Sequence, residues 1–245
     1  MSESTLPDIR PARQFLLIPG FMCDASLWKF MLPRLEQLGQ VRFADLNEGN
    51  SIEDMAARLL PVLPDNGIIV GFSLGGYVAR HMAWLAHQQN KVLHGLVLLN
   101  TSARVSTADE DNKNRQQIKL LEHYPYKGQT MTALRRALHP QRQDDAVILA
   151  HLQAMSLTLG KQVFLQQLSI ARADGHHELP EITCPALVVA SRNDQMRSLA
   201  ESEKLAHGLP NAILHIIEDC GHMSPLEKAP ELIATLHDWL QQNGV

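Results

Sequence analysis

Hydrophobic positions follow two spacings along the first hundred residues, and their alternation predicts repeated strand–helix units. Short continuous apolar runs, the pattern of strands buried on both faces of a parallel sheet, occur at residues 15–18, 41–44, 68–70 and 93–99. Between these runs, apolar residues recur every three or four positions, which predicts helices at 27–38, from Ser51, and directly after Ser73. Such units imply right-handed crossovers and a mostly parallel sheet with helices on both faces.

The strand pattern disappears between residues 103 and 182. Four helical patterns follow one another there, at 109–123, 129–138, 144–159 and 161–171, and Gly160 is a predicted helix stop. The strand pattern returns at 185–190 and 212–217, with helical patterns at 198–207 and 232–240. The sequence therefore predicts an α/β core of residues 1–102 and 183–245, with a helical cap inserted at 103–182.

Composition limits the class of protein. The 245 residues are 45% hydrophobic and 20% charged, which suits one large α/β domain with an insertion. A net charge of −4 gives no reason to expect nucleic acid or an anionic membrane as a partner. Residues 1–10 lack the apolar core of a secretory signal, and no apolar run approaches membrane-spanning length, so we expect a cytoplasmic location. Three scattered cysteines, Cys23, Cys184 and Cys220, are expected to be reduced thiols.

The richest chemical signal is Gly71-Phe72-Ser73-Leu74-Gly75, which lies between the strand at 68–70 and a helical pattern. This is the G-x-S-x-G pattern of a nucleophile elbow in the context that such a turn requires. A sharp turn of this kind raises the serine oxygen above the sheet, and the helix N-terminus beneath it favours a developing negative charge. Ser73 is therefore the candidate nucleophile.

A serine hydroxyl needs a base to accept its proton, and the base needs a carboxylate to orient it. The loops after the last two strands supply Asp194 and then His222, in the order Ser, Asp, His that elbow-type hydrolases have. Asp219 is an alternative orienting acid. Asn100 ends the strand after the elbow, but its side chain is an amide and cannot replace a carboxylate as the orienting acid. The adjacent residues 176–178, His-His-Glu, are a poor fit to a metal site because neighbours seldom converge on one ion.

Over essentially its whole length the chain resembles the α/β-hydrolase fold family. The matching segments are Leu17 to Phe21 with Trp28, and residues 71–76, 191–194 and 221–222. It is similar to small bacterial members with a helical cap: pimeloyl-ester carboxylesterases, enol-lactonases and the menaquinone-pathway lyase. The resemblance implies that two backbone N–H groups, those of Phe21 and Leu74, form an oxyanion hole.

Two departures from the family pattern suggest a subgroup with its own substrate. Pro19 stands where the family usually has a histidine before Gly20, and residues 47–51 replace the common Gly-His-Gly-x-Ser signature. Phe21, Met22 and Phe72 adjoin the site in sequence and are the candidate substrate-binding residues.

The sequence thus predicts a serine hydrolase that cleaves a small-molecule carboxylic ester or thioester through an acyl-enzyme. Its chemistry requires no metal and no organic cofactor. Two alternatives stay open: a lyase or carbon–carbon bond hydrolase with the same three residues, and a small-molecule binding protein with little turnover. No coiled-coil seam or interface pattern indicates an oligomeric state.

Overall fold

The computed structural model describes residues 13–245, and a single sheet runs through its centre. The interpretation of residues 1–10 as lacking a secretory signal lies outside this range. Six strands pair in the order β2-β1-β3-β4-β5-β6, and every neighbouring pair is parallel. The strands are β1 Arg13–Ile18, β2 Gly39–Phe43, β3 Ile68–Phe72, β4 Gly95–Leu99, β5 Ala186–Ser191 and β6 Ala212–Ile217.

Nine α-helices and four short 3₁₀ helices connect and cover these strands within the described residues. Among residues 13–245, no helix combines the length and apolar character that crossing a bilayer requires. The α-helices are α1 Leu32–Leu38, α2 Ile52–Leu59, α3 Leu74–Gln88, α4 Ala108–His123, α5 Met131–Arg136, α6 Ala146–Leu168, α7 Leu199–Gly208, α8 Ser224–Glu227 and α9 Ala229–Gln242. The 3₁₀ helices are Ala25–Trp28, Leu60–Val62, Pro140–Arg142 and His176–Glu181.

Two hydrophobic cores lie on opposite faces of the sheet. Successive side chains of a strand point to opposite faces, so Val70 packs with α1 and α9 on one side. Its neighbour Ile69 packs with α2, α3 and α7 on the other. Both residues are at most 1% exposed, as expected of a central strand covered on both faces. The prediction of a parallel α/β sheet with helices on both sides is confirmed.

Some element bounds differ from those predicted. The predicted helix at 27–38 is divided into the 3₁₀ helix Ala25–Trp28 and α1, because Pro33 is the second residue of α1 and is tolerated only in a helix's first turn. The patterns at 144–159 and 161–171 run together as α6. Gly160 still marks their boundary, since its φ of 79° and ψ of −178° are not helical.

The segment between β4 and β5 holds α4, α5 and α6 and contains no strand among its residues, all of which the structure describes. The chain enters and leaves this segment side by side. Ser106 N donates to Arg172 O at 2.9 Å, and Gly175 N donates to Ala103 O at 2.8 Å. Division into a core and a cap with the limits 103 and 182 stays a prediction.

A buried charge cluster fixes the returning chain to the helix that follows Ser73. Arg80 on α3 forms an ion pair with Glu178, and the two side chains are 4% and 6% exposed. His81 Nδ1 lies 2.8 Å from the other carboxylate oxygen of Glu178. The carboxylate that the sequence placed in a doubtful metal site thus has a structural role. Breaking a buried pair leaves an uncompensated charge, which is far costlier than losing an exposed pair.

We therefore expect Glu178→Ala to lower the free energy of unfolding by about 3–5 kcal/mol, measured by urea denaturation. The matched control is Glu48→Ala, because Glu48 pairs with Arg58 and both side chains are exposed. That change should cost less than about 1 kcal/mol. Equal losses in the two variants would contradict a stabilising role for the buried cluster.

Candidate active site

Ser73 occupies a strained turn between β3 and α3. Its φ of 51° and ψ of −112° place it in a region that non-glycine residues rarely adopt. Two hydrogen bonds hold the turn: Ser73 N donates to Leu99 O at 2.9 Å, and Thr101 Oγ1 donates to Ser73 O at 2.7 Å. A Cβ on Gly75 would lie 2.3 Å from Pro19 O, so the helix start approaches β1 too closely for any side chain.

Ser73, His222 and Asp194 form one continuous hydrogen-bonded chain. Ser73 Oγ lies 2.8 Å from His222 Nε2, and His222 Nδ1 lies 2.7 Å from Asp194 Oδ2. The three residues follow β3, β5 and β6, whose carboxyl ends meet at one edge of the sheet. Ser73 and His222 are 7% and 3% exposed. The arrangement suits proton transfer from the hydroxyl to the imidazole.

Asp194 is held as a carboxylate despite its burial. Burial by itself raises the pKa of Asp194, but His222 and several N–H donors outweigh this effect, so the pKa lies below its usual value. Met196 N and Arg197 N donate to Oδ1 at 2.7 and 3.0 Å. Asn100 Nδ2 donates to Oδ2 at 3.0 Å. An ionised partner for His222 is thereby maintained.

Asn100 is the residue whose role the sequence did not reveal. Its side chain lies between three groups: Nδ2 donates to Ser191 Oγ at 2.8 Å as well as to Asp194, and Oδ1 accepts from Ser224 Oγ at 2.6 Å. The amide therefore supports the acid instead of replacing it. Its position at a strand end was visible in the sequence, but its partners come from residues more than ninety positions away.

The loop that carries His222 is fastened to the segment between β4 and β5. Ala137 O accepts from His222 N at 2.8 Å and from Met223 N at 3.3 Å. The buried carboxylate of Glu227 accepts from His139 N at 2.8 Å and from Met223 N at 3.2 Å. Burial raises the pKa of Glu227 above its usual value. The imidazole also packs on Phe72, with ring centroids 5.2 Å apart.

The loop after β1 lies beside the nucleophile. A Cβ on Gly20 would stand 3.3 Å from Ser73 Cβ, which brings the next residue, Phe21, to the edge of the site. Leu74 is the first residue of α3, and the N–H of a helix's first residue has no acceptor within the helix. Within residues 13–245, the Phe21 N–H also has no acceptor. Both expected oxyanion donors are thus available.

The three candidate substrate-binding residues differ in accessibility. Phe72 and Met22 are each 1% exposed, whereas Phe21 is half-buried. Met22 packs with Phe164 and Leu168 of α6, and the rings of Phe21 and Phe164 lie 5.5 Å apart. Apolar side chains of α6 thus border the loop after β1.

Two other groups considered from the sequence take no part in the hydrogen-bonded chain of Ser73, His222 and Asp194. Asp219 is exposed, and the imidazole of His222 bonds to Asp194 instead. Cys220 is unpaired and buried, and burial raises the pKa of its thiol to about 12. Cys23 and Cys184 are also free thiols.

Comparison with known proteins places the chain in a family. The family model described as "Alpha/beta hydrolase family" matches residues 15–236. A putative carbamate hydrolase RutD of Stutzerimonas stutzeri is 30% identical over 258 residues, covering 94% of this chain and 92% of that protein. A pimeloyl-(acyl-carrier protein) methyl ester esterase of Aromatoleum aromaticum is 29% identical over 253 residues, covering 90% and 95%.

The same fold recurs among solved structures. The enol-lactonase from Burkholderia xenovorans LB400 superposes with a TM-score of 0.77, covers 95% of this chain and 92% of its own, and is 22% identical. The family model spans most of the chain, and the six-stranded parallel sheet covered by helices on both faces matches it. The chain belongs to the alpha/beta hydrolase family.

Proposed function

We propose that this protein is a serine hydrolase that cleaves a carboxylic ester or thioester of a small molecule. The observation that carries the proposal is the hydrogen-bonded chain from Ser73 Oγ through His222 to Asp194, with links of 2.8 and 2.7 Å. Its order along the sequence and its place at the strand ends agree with an elbow-type hydrolase. The family relationship and the esterase relative support the same chemistry.

In the proposed reaction, Ser73 Oγ attacks the ester carbonyl carbon while His222 Nε2 accepts the hydroxyl proton. The tetrahedral intermediate collapses, the bond to the leaving oxygen or sulfur breaks, and His222 returns its proton to that group. A water molecule then attacks the acyl-enzyme with His222 again as base, which releases the acid and regenerates the serine. Asp194 keeps the imidazole oriented and stabilises its protonated form throughout.

The negative charge on the intermediate's oxygen is assigned to two backbone donors, Phe21 N and Leu74 N. Neither is used elsewhere among the described residues, and Leu74 also carries the positive end of the α3 dipole. Losing one such donor typically costs roughly 100- to 1,000-fold in turnover. This scheme requires no metal or organic cofactor.

We also propose that the protein acts in the cytoplasm.

Ester cleavage is favoured over carbon–carbon cleavage or lyase chemistry because an ester needs only the groups already assigned. The same three residues can serve the other reactions, so substrate comparison decides. Aryl esters, thioesters of graded acyl length, carbamates, β-diketones and menaquinone-type substrates would be assayed side by side. Turnover confined to the β-diketones or the menaquinone-type substrates would replace ester hydrolysis with carbon–carbon cleavage or lyase chemistry. Tight binding of a small molecule without repeated turnover would favour a binding protein.

We expect Ser73→Ala to lower aryl-ester turnover by roughly ten-thousandfold or more, because the attacking oxygen is removed. The variant should also lose the single adduct that a fluorophosphonate probe forms, measured by intact-protein mass. Ser202→Ala is the matched control, since Ser202 is a buried serine on α7 outside the hydrogen-bonded chain. An adduct or an ester rate retained by folded Ser73→Ala would sink the assignment.

Asn100→Ala should raise the pKa of Asp194, because a donor that favours the charged carboxylate is lost. Hydrogen bonds to charged groups are worth about 1.5–3 kcal/mol, so kcat/KM for an aryl ester should fall by roughly 10- to 150-fold. Carbon NMR titration of the Asp194 carboxyl and ester kinetics check the two effects. Ser224→Ala serves as control: it removes the hydrogen bond to Asn100 Oδ1 and leaves Asp194 its donors. An unchanged pKa in Asn100→Ala would contradict the supporting role.

A further inference from the structure

Gln167 joins three parts of the molecule that are distant in sequence. It lies near the end of α6, in the predicted cap, and is 4% exposed. Its Oε1 accepts from Met22 N at 2.8 Å, and its Nε2 donates to Leu46 O at 3.0 Å. One buried amide thus connects α6 to the loop after β1 and to the loop after β2.

We propose that Gln167 is a positioning residue for the oxyanion hole, acting through the turn that contains Phe21. This inference rests on the proposed function, because it concerns the donor assigned there to Phe21 N. It makes a side chain of the predicted cap part of the support for catalysis.

The turn in question needs outside support. Cys23 N donates to Gly20 O at 3.1 Å, which closes a four-residue turn with Phe21 and Met22 at its centre. Met22 has a φ of 52° at the third position, as in type II turns, where glycine or asparagine is usual. Methionine is disfavoured there because of its Cβ. The peptide between the two central residues would relax by rotating unless its polar groups were held.

Gln167 holds that peptide by its N–H. Rotation of the central peptide would carry Met22 N away from Gln167 Oε1 and leave both groups buried without partners, which is unfavourable. The other end of the peptide is held more weakly, by Cys23 Sγ at 3.4 Å from Phe21 O. Because Gln167 also bonds to Leu46 O, its own rotamer is fixed from a second side.

The hydrogen-bond pattern also separates the roles of two neighbouring amides. Met22 N is occupied by Gln167, while Phe21 N has no acceptor within the described residues. The first amide fixes the turn, and the second is left for the substrate's oxygen. Displacing a catalytic donor by about 1 Å can cost roughly a hundredfold in rate. We call the hydrogen bond from Met22 N to Gln167 Oε1 the clamp. Losing the clamp should therefore lower turnover more than it weakens binding of the substrate in the ground state.

The chain provides a matched control in the preceding residue. Gln166 lies on the same helix turn and also reaches a core loop, since its Nε2 donates to Gly49 O. It makes no hydrogen bond to the loop after β1. Gln166→Met and Gln167→Met remove the same functional group from neighbouring positions with little change in volume.

The experiment compares both variants with the wild type by ester kinetics and by amide hydrogen exchange on nitrogen-labelled protein. Gln167→Met should lower kcat roughly 10- to 100-fold and leave KM within about threefold, since the loss falls on the transition state. The Met22 amide should exchange faster in this variant. Gln166→Met should match the wild type in both measurements.

A measurement on the wild type keeps the proposal testable if Gln167→Met fails to fold. The Met22 amide should be protected before and after phosphonylation of Ser73, whereas the Phe21 amide should gain protection only afterwards. Unchanged Met22 exchange or unchanged kcat in folded Gln167→Met would overturn the clamp, as would an unprotected Met22 in the wild type. Absence of ester turnover in the wild type would overturn the proposed function instead, and Met22 exchange would still report whether the clamp exists.

Discussion

The left-handed backbone at Ser73 is the constraint on which the rest of the structure depends. A residue with a Cβ adopts this conformation only when its surroundings compel it. Here β4 supplies an acceptor for Ser73 N, Thr101 supplies a donor for Ser73 O, and Gly75 lets the helix start press against β1. Each contact comes from an element whose place the sheet order determines. The strained turn is thus held by contacts from the parallel sheet and from the loop after β4.

The segment between β4 and β5 contacts all three loops that meet at the nucleophile. Gln167 bonds to the loop after β1, and Arg136 donates to Gln195 O at 3.2 Å in the loop that carries the acid. Ala137 accepts from the backbone of His222. A lid that only covered a pocket would not need such bonds. The segment therefore supports the site through hydrogen bonds to each of these loops.

The sequence predicted the elements whose signals are local. Buried strands appear as apolar runs, and the glycines around Ser73 identify a sharp turn, so the fold and the candidate residues Ser73, Asp194 and His222 could be found in advance. The supporting residues could not be predicted in this way. Asn100 and Gln167 are ordinary amides whose partners are 94 and 145 positions away. Their roles depend on the packed structure, which no short pattern encodes. The predicted helix at 27–38 is divided because Pro33 must lie in the first turn of a helix. The prediction missed this division because it gave the spacing of apolar residues more weight than the proline.

The non-helical backbone at Gly160 divides α6 into two halves, which affects how the sequence of this protein can diverge. The part of α6 before Gly160 packs through Ile148 and Leu152 into the hydrophobic core that contains Val70. The part after Gly160 bonds to the loop after β1 through Gln167. At Gly160 itself, an added Cβ would meet no atom within 4 Å. Gly160 therefore connects a first half of α6 that is packed in the core to a second half that contacts the loop after β1, and the space around Gly160 is open. Changes in chain length at Gly160 are therefore expected to move the half of α6 that contacts Met22 in the loop after β1, while the half before Gly160 keeps its packing.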